Sequence, residues 1–208
     1  MSNEMIAILD YGMGNVGSIH NMLKRVGSPS VITNDPQELR SATKIILPGV
    51  GAFDQAITKL RNLDLIGLMN ELVLEKQKPI LGICLGMQLL SKSSEEGDLP
   101  GFGWIDAKTV RFRTDSNGKT LRIPHMGWNQ VKVVRGNSIM DNLPDEPRFY
   151  FVHSYHVHCV LPEDVVAVAE YGEVFHCAIQ RQNIYGTQFH PEKSHKFGMK
   201  LLKNFAEA

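Results

Sequence analysis

The segment PILGICLGMQLL, residues 79–90, decides the fold more than any other stretch of the chain. It begins as a short apolar run, which is typical of a strand buried on both faces, and continues as a helical pattern. A G-x-C-x-G pattern centred on Cys84 separates the two halves. The segment therefore predicts a strand, a sharp turn that carries the cysteine, and a helix, which is the cysteine counterpart of a serine nucleophile elbow.

The glycines of this pattern suit a strained turn, because Gly82 and Gly86 remove side chains that would collide there. The turn would place the sulfur of Cys84 at a helix N-terminus, where the helix dipole favours negative charge. The backbone N–H of Leu85 would point to the same place, where it is suited to hold an oxyanion. On the pentapeptide alone, a buried structural cysteine remains an equal alternative.

The chain before the elbow alternates short apolar runs with longer helical patterns. The expected strands cover residues 5–10, 30–33, 44–48 and 79–84. The expected helices cover residues 15–26 and 53–76, and the second is broken near Asn62. This order predicts βα units and a parallel sheet covered by helices on both faces.

The character of the sequence changes after about residue 100, where short β-rich runs follow one another. Turn signals separate the runs, including Asn117-Gly118 and Gly136-Asn137, and the chain closes with a helical pattern over residues 197–208. We therefore predict a single α/β domain over residues 1–208. Its mostly parallel central sheet would be flanked by helices and extended by antiparallel strands.

Composition and charge argue against several classes of function. The 208 residues are 43% apolar and 21% charged, which is ordinary for a globular protein, and their formal net charge is zero. This balance gives no sign of nucleic-acid or membrane binding. No apolar run approaches the roughly 20 residues of a membrane helix, and the first residues do not resemble a signal peptide.

The three cysteines are widely spaced and odd in number, which argues against a disulfide framework and for reduced thiols. We therefore expect a cytoplasmic protein. Cys159 and Cys177 lack the glycine bracket of Cys84 and lie inside β-like runs, so we expect structural roles for both.

The candidate base lies in the segment TQFHPE, residues 187–192. His190 ends a predicted strand, Pro191 stops sheet pairing, and Glu192 follows two positions after the histidine. Residues i and i+2 of an extended segment point to the same side, so Glu192 is expected to reach and orient the ring of His190. A solvated strand end is the alternative.

The other histidines make weaker candidates. His125 lies in an apparent loop without a nearby carboxylate, and His195 opens the last helix as a surface or capping residue. Four more lie in β-like runs and together suggest a metal site, but they lack the tight ligand spacing typical of zinc: His153, His156, His158 and His176. We expect no metal and no cofactor.

Taken together, these features resemble the class I glutamine amidotransferases. Within that family the chain is most similar to the glutaminase subunits of imidazole glycerol phosphate synthases. The matching segments span nearly the whole chain in order: DYGMGN (10–15), LPGVGAF (47–53), GICLGMQLL (82–90), PHMGWN (124–129), YFVHSY (150–155) and GTQFHPEKS (186–194).

The resemblance implies a role for each matching residue. Cys84 would attack the side-chain carboxamide of the substrate glutamine, His190 would act as base and acid, and Glu192 would orient His190. The further matches are Leu85, Val50 and Gly51 for the oxyanion; Gln88, Ser154 and Tyr155 for glutamine; and Asn15, Trp128, Tyr150 and Lys193 for the partner interface or ammonia exit.

The resemblance also implies a partner. A separate (β/α)8-barrel cyclase subunit would form a heterodimer with this chain and receive the ammonia through a protected channel. The products would be imidazole glycerol phosphate and an aminoimidazole carboxamide ribotide, in histidine biosynthesis. In the family, the loop at residues 48–51 is thought to reorient when the partner's ligand binds.

Three alternatives remain open. The segment HPEKSHKF, residues 190–197, also resembles paralogous glutaminases that supply ammonia for a surface-polysaccharide sugar. A non-catalytic regulatory relative would bind a partner or sense oxidation through Cys84. An independent cysteine hydrolase would turn over fully without a partner, whereas a coupled glutaminase would idle alone.

Overall fold

A computed structural model describes residues 4–113 and 121–208 of the chain. Its strands are β1 (Ile6–Leu9), β2 (Ser30–Thr33), β3 (Lys44–Gly49), β4 (Ile80–Cys84), β5 (Ser93–Ser94), β6 (Ala107–Arg111), β7 (His125–Gln130), β8 (Lys132–Val133), β9 (Arg148–His153), β10 (Tyr155–Cys159), β11 (Val165–Tyr171), β12 (Glu173–Arg181) and β13 (Ile184–Thr187). Its α-helices are α1 (Val16–Arg25), α2 (Pro36–Ser41), α3 (Phe53–Asn62), α4 (Leu65–Asn70), α5 (Leu85–Leu89) and α6 (His195–Glu207).

One large sheet organises the molecule. Its strands follow the order β2-β1-β3-β4-β13-β12-β10-β6-β5, with β11 and β8 attached beside β12. The strands from β2 to β13 run parallel, and those from β12 onward pair mainly in antiparallel fashion. The predicted fold class, a mostly parallel central sheet extended by antiparallel strands, is therefore confirmed.

Helices cover both faces of the parallel strands. All four residues of β1 and all five of β4 are buried, as expected for apolar strands between two layers. On one face the core includes Phe53 of α3, and on the other it includes Leu23 of α1 and Phe205 of α6. Burying a phenylalanine of this kind contributes roughly 1.5–3 kcal/mol, so the helices hold the sheet edge that carries the elbow firmly in place.

The helix boundaries follow the signals in the sequence. The side chain of Asn15 caps α1 by accepting a hydrogen bond from the backbone N–H of Ser18 at 3.3 Å. The predicted break near Asn62 is confirmed, because α3 ends there and α4 begins after Asp64, which adopts a positive φ of 54°. A π-helical turn over Glu71–Glu75 continues α4.

One expected loop is a strand. His125 begins β7, which pairs with β9 in a separate two-stranded antiparallel sheet, so the loop assignment of this segment was wrong. The backbone hydrogen bonds of β7 come from β9, and a local sequence pattern does not predict pairing with a strand so far along the chain. The predicted turn at 117–118 lies outside the described residues.

Within residues 4–113 and 121–208, no helix is both long and apolar enough to cross a membrane.

Candidate active site

Cys84 occupies the strained turn that Gly82 and Gly86 on either side of it predict. It ends β4 directly before α5 and adopts φ 55° and ψ −110°, a conformation that costs a non-glycine residue on the order of 1–3 kcal/mol. A Cβ on Gly86 would lie 1.9 Å from the carbonyl oxygen of Leu47, and one on Gly82 would lie 2.7 Å from the carbonyl oxygen of Gly86. Both glycines are therefore needed for α5 to approach the sheet so closely.

The turn opens onto a cavity of about 280 Å³, a size that suits an amino acid. Within the described parts of the chain, Glu96 is the one carboxylate on its wall. The wall consists of Val50, Gly51, Cys84, Leu85, Gln88, Glu96, Pro124, Val152, His153, Ser154 and Tyr155.

His190 and Glu192 form a buried pair. Nδ1 of His190 lies 2.7 Å from Oε1 of Glu192, and each side chain is 2% exposed. The route of the chain differs from the expected extended segment, because Pro191–Lys193 form a 3₁₀ turn. The turn brings the carboxylate under the ring, and within the described residues Nε2 of His190 has no hydrogen-bond partner.

The neighbours of His190 favour its protonated form. Burial alone would lower the pKa of His190, but the nearby Cys84 and the Glu192 carboxylate bonded to Nδ1 outweigh it and raise the pKa to about 10. Because Nδ1 is held by Glu192, Nε2 is the nitrogen left to exchange a proton with the sulfur. The arrangement matches the order nucleophile, base and orienting carboxylate.

The sulfur of Cys84 has two further polar neighbours. It lies 3.9 Å from the carbonyl oxygen of Val152 and 3.7 Å from Nε2 of Gln188. All three cysteines of the chain are free and buried. Burial raises the pKa of Cys159 to about 12 and that of Cys177 well above the usual value, so both thiols stay protonated and fit the structural roles expected for them.

The predicted oxyanion donors lie on the cavity wall. Leu85 is the first residue of α5, so its N–H has no carbonyl four residues back within the helix. Val50 and Gly51 also line the cavity, in the loop after β3, where Gly51 adopts a φ of 111°. The buried hydroxyl of Tyr11, which the sequence did not single out, donates to the Pro48 carbonyl at 2.7 Å and anchors the base of this loop.

The residues expected to bind glutamine converge on the same cavity. Nε2 of Gln88 donates to the carbonyl oxygen of Tyr155 at 2.9 Å. The carbonyl oxygen of Ser154 accepts from the backbone N–H of Phe112 at 3.3 Å. Both carbonyls of this segment therefore have partners within the protein, and the Gln88 side-chain oxygen remains for a ligand.

A pair of buried histidines lies at the cavity wall, where His153 lines the cavity and His125 packs behind it. His153 Nδ1 lies 2.8 Å from the Tyr155 carbonyl oxygen, which can only accept, so Nδ1 carries the proton. His153 Nε2 then accepts from His125 Nδ1 at 3.1 Å, and Asn129 donates to His125 Nε2 at 3.3 Å. Burial lowers the pKa of His125 to about 4 and that of His153 well below its usual value, so both rings stay neutral.

Three further histidines lie on β10 and β12. His158 and His176 stack on the antiparallel part of the sheet, and the buried His156 packs against Phe112. In the portion of the chain that the structure describes, no three His, Cys, Asp or Glu side chains are grouped so as to hold a metal ion.

Most of the residues expected at a partner interface lie on one surface beside the catalytic pair. Trp128 is 46% exposed and packs edge-on against Tyr150, with 6.3 Å between ring centroids. Nζ of Lys193 lies 5.7 Å above the Tyr150 ring, and the His195 ring stacks on Trp128. Asn15 is exposed at the start of α1, a helix that packs against the 191–193 turn.

Two cavity-related residues had no clear signal in the sequence. Glu96 lies in SSEEGDLP, which looks like a solvated acidic loop, yet its carboxylate accepts from the backbone N–H of Phe53 at 2.9 Å and reaches the cavity. Gln188 is fully buried next to Cys84. Its position depends on strand order, which the sequence alone did not give.

The chain is similar to known proteins over nearly its whole length. The chain matches the family model described as glutamine amidotransferase class-I over residues 7–208. Imidazole glycerol phosphate synthase subunit HisH 2 of Methanococcus maripaludis is 56% identical, over 97% of this chain and 98% of that protein. The subunit HisH of Leptospira interrogans is 49% identical, over 97% of this chain and 99% of that protein. A crystal structure of a glutamine amidotransferase shares the fold, with a TM-score of 0.74 at 17% identity, over 98% of this chain and 99% of that one.

Proposed function

The chain belongs to the class-I glutamine amidotransferase family, and on that premise we propose that it is the glutaminase subunit of an imidazole glycerol phosphate synthase. It would hydrolyse glutamine to glutamate and ammonia and deliver the ammonia to a separate cyclase subunit. The identity of 56% and 49% to subunits of that synthase, over nearly their full lengths, supports this assignment. The single domain over residues 1–208 carries the glutaminase activity.

The observation that carries the proposal is the strained Cys84 turn beside the buried His190–Glu192 pair. In the proposed reaction, the sulfur attacks the carboxamide carbon of glutamine, and the C–N bond then breaks to leave a γ-glutamyl thioester. His190 takes the thiol proton on Nε2 and gives it to the departing nitrogen. A water molecule, deprotonated by the same ring, then cleaves the thioester and restores the thiol.

Recognition of glutamine follows from the polar groups on the cavity wall. Glu96 supplies the negative charge suited to the α-ammonium group of an amino acid. The Ser154 and Tyr155 segment borders the cavity and holds the amino-acid end of the substrate. The Gln88 oxygen accepts a hydrogen bond from the carboxamide NH2, which fixes the face presented to the sulfur.

Oxyanion stabilisation comes from two sides of the cavity. The N–H of Leu85 is fixed at the start of α5, whereas the second donor belongs to the loop that holds Val50 and Gly51. Val50 is 44% exposed, so a partner subunit can contact this loop directly. Contact with the partner would turn a peptide N–H of the loop toward the oxyanion, which couples glutamine hydrolysis to the presence of an acceptor.

The partner docks on the exposed surface beside the catalytic pair and forms a heterodimer with this chain. Trp128 and Tyr150 supply aromatic anchors, Lys193 supplies a positive charge, and Asn15 lies at the neighbouring start of α1. Ammonia passes to the cyclase through a protected path, because a free molecule would be protonated in water near neutral pH. We place the complex in the cytoplasm, where three free thiols remain reduced.

The test measures glutamate release from glutamine by the purified chain, alone and with a candidate cyclase subunit bound to its own ligand. We expect negligible release alone and strong stimulation in the complex. Cys84→Ala should abolish release while the complex still makes product from added ammonium salt. Full activity without a partner would overturn the coupled mechanism, and product formed with a sugar-specific cyclase would assign the chain to that synthase instead.

A further inference from the structure

Gln188 lies beside the nucleophile because of strand register. In the parallel pair of β13 and β4, Thr187 is opposite Ile83, so the next positions, Gln188 and Cys84, leave the sheet side by side. The carboxyl ends of parallel strands share one edge of a sheet, which brings the amide side chain to the sulfur. Gln188 is 0% exposed, so this contact is fully shielded from solvent.

The backbone carbonyl of Tyr155 determines which groups donate and which accept in the hydrogen bonds that lead to the sulfur of Cys84. The Tyr155 carbonyl can only accept, so the 2.9 Å contact must come from the NH2 group of Gln88. The same NH2 group donates its second hydrogen to Oε1 of Gln188 at 3.3 Å. Gln188 therefore turns its own NH2 group toward Cys84, 3.7 Å from the sulfur.

We propose that Gln188 is a positioning residue of the glutaminase reaction: its side-chain amide holds the sulfur of Cys84 in place and fixes the orientation of Gln88 toward the substrate. This inference rests on the proposed function, since the reaction is the one assigned to Cys84 above. Gln188 is not among the described residues that line the cavity, so it acts through its two neighbours and not on glutamine itself.

The two ends of the Gln188 amide have separate consequences. Its NH2 group gives the sulfur a hydrogen-bond donor, which favours the negatively charged nucleophile and limits rotation of the Cys84 side chain. Its oxygen holds the Gln88 NH2 group, which leaves the Gln88 oxygen free for the NH2 group of the substrate. Loss of the first effect lowers the reactivity of the thiol, and loss of the second weakens glutamine binding.

The primary test is the rate at which iodoacetamide alkylates Cys84 in the purified chain, followed by peptide mass spectrometry. Gln188→Met keeps the length of the side chain but removes both hydrogen-bonding ends. We expect alkylation about 10-fold slower than in the natural chain, which corresponds to a hydrogen bond of about 1.4 kcal/mol to a charged group. In the complex with the cyclase subunit, we expect a lower kcat and a higher KM for glutamine.

The matched control is Thr187→Val, one position earlier, at the end of the buried strand β13. It also removes a buried hydrogen bond, from the Thr187 hydroxyl to the Phe189 carbonyl at 3.3 Å, but that bond does not reach the sulfur. We expect its alkylation rate to stay within about twofold of the natural chain. An equal loss of rate in both variants would reduce Gln188 to a structural residue and overturn the proposal.

A second variant keeps the proposal testable if Gln188→Met does not fold. Gln188→Glu retains an oxygen for Gln88 but replaces the donor that faces the sulfur, so alkylation should slow while KM changes less. Alkylation at the natural rate in this folded variant would refute the role. The alkylation arm needs no turnover, so it tests the role of Gln188 even when the natural complex is inactive, a result that would overturn the proposed function alone.

Discussion

Replacing Glu192 with glutamine isolates the contribution of the buried carboxylate. Its Oε1 lies 2.7 Å from Nδ1 of His190, and both side chains are 2% exposed, so solvent does little to weaken the interaction. A hydrogen bond to a charged group of this kind contributes roughly 1.5–3 kcal/mol. Because this hydrogen bond stabilises the protonated ring of His190 by that free energy, its loss in Glu192→Gln should lower kcat about 10- to 150-fold.

The pH dependence of kcat/KM in the same variant supplies a second test of the carboxylate. Glu192 is one of the two groups that raise the pKa of His190 to about 10, so its loss lowers that pKa. The protonated ring, which donates to the departing nitrogen, is then lost at lower pH. We expect the alkaline limb of the kcat/KM profile to move to lower pH, with little change in the acidic limb.

Glutamate release by the complex is the assay, and Glu173→Gln is the control. Glu173 also lies near a buried histidine, 3.6 Å from Nε2 of His156, but its side chain is 41% exposed and it is not among the residues that line the cavity. We expect its kcat to stay within about twofold of the natural complex. Natural kcat and an unshifted pH profile in Glu192→Gln would refute the role given to the carboxylate.

Three further outcomes are expected. Gly86→Ala places a Cβ 1.9 Å from the Leu47 carbonyl oxygen, so it should lower the free energy of unfolding by at least about 3 kcal/mol in urea titrations. The control is Gly17→Ala, whose added Cβ meets nothing within 4 Å and should not destabilise the chain. Burial keeps the pKa of His125 near 4 in the folded chain, whereas the unfolded residue has the ordinary histidine pKa of 6.5. Between these two pH values, the unfolded chain therefore binds a proton at His125 that the folded chain does not. Stability should therefore fall from pH 6.5 toward 4, by at most about 1.4 kcal/mol per pH unit from this group, and His125→Gln should flatten that slope. Tyr11→Phe removes the 2.7 Å bond that anchors the oxyanion loop and should reduce both stability, by about 1–3 kcal/mol, and the kcat of the complex; an unchanged kcat would contradict the anchoring role.

The sequence predicted those parts of the fold that depend on local pattern. Apolar runs marked the buried strands, and the glycine pattern at residues 82–86 marked the turn at Cys84 before any neighbour was known. The contact between His190 and Glu192 was expected, but for a different reason, because a 3₁₀ turn and not an extended strand brings them together.

Features that depend on distant pairing could not be predicted in this way. His125 looked like a loop residue because its partner strand, β9, begins at Arg148. Gln188 gained its place beside the sulfur through the insertion of β13 next to β4, a pairing between segments about one hundred residues apart. Glu96 lies in an acidic stretch that resembles a solvated surface until the cavity is assembled around it.

The most direct test of the central claim, that Cys84 is the nucleophile for glutamine, is covalent labelling of the complex with a diazoketone analogue of glutamine, followed by peptide mass spectrometry. We predict one label on Cys84, loss of glutamate release in step with labelling, and protection by glutamine. A label on Cys159 or Cys177, or full activity after Cys84 is labelled, would contradict the account.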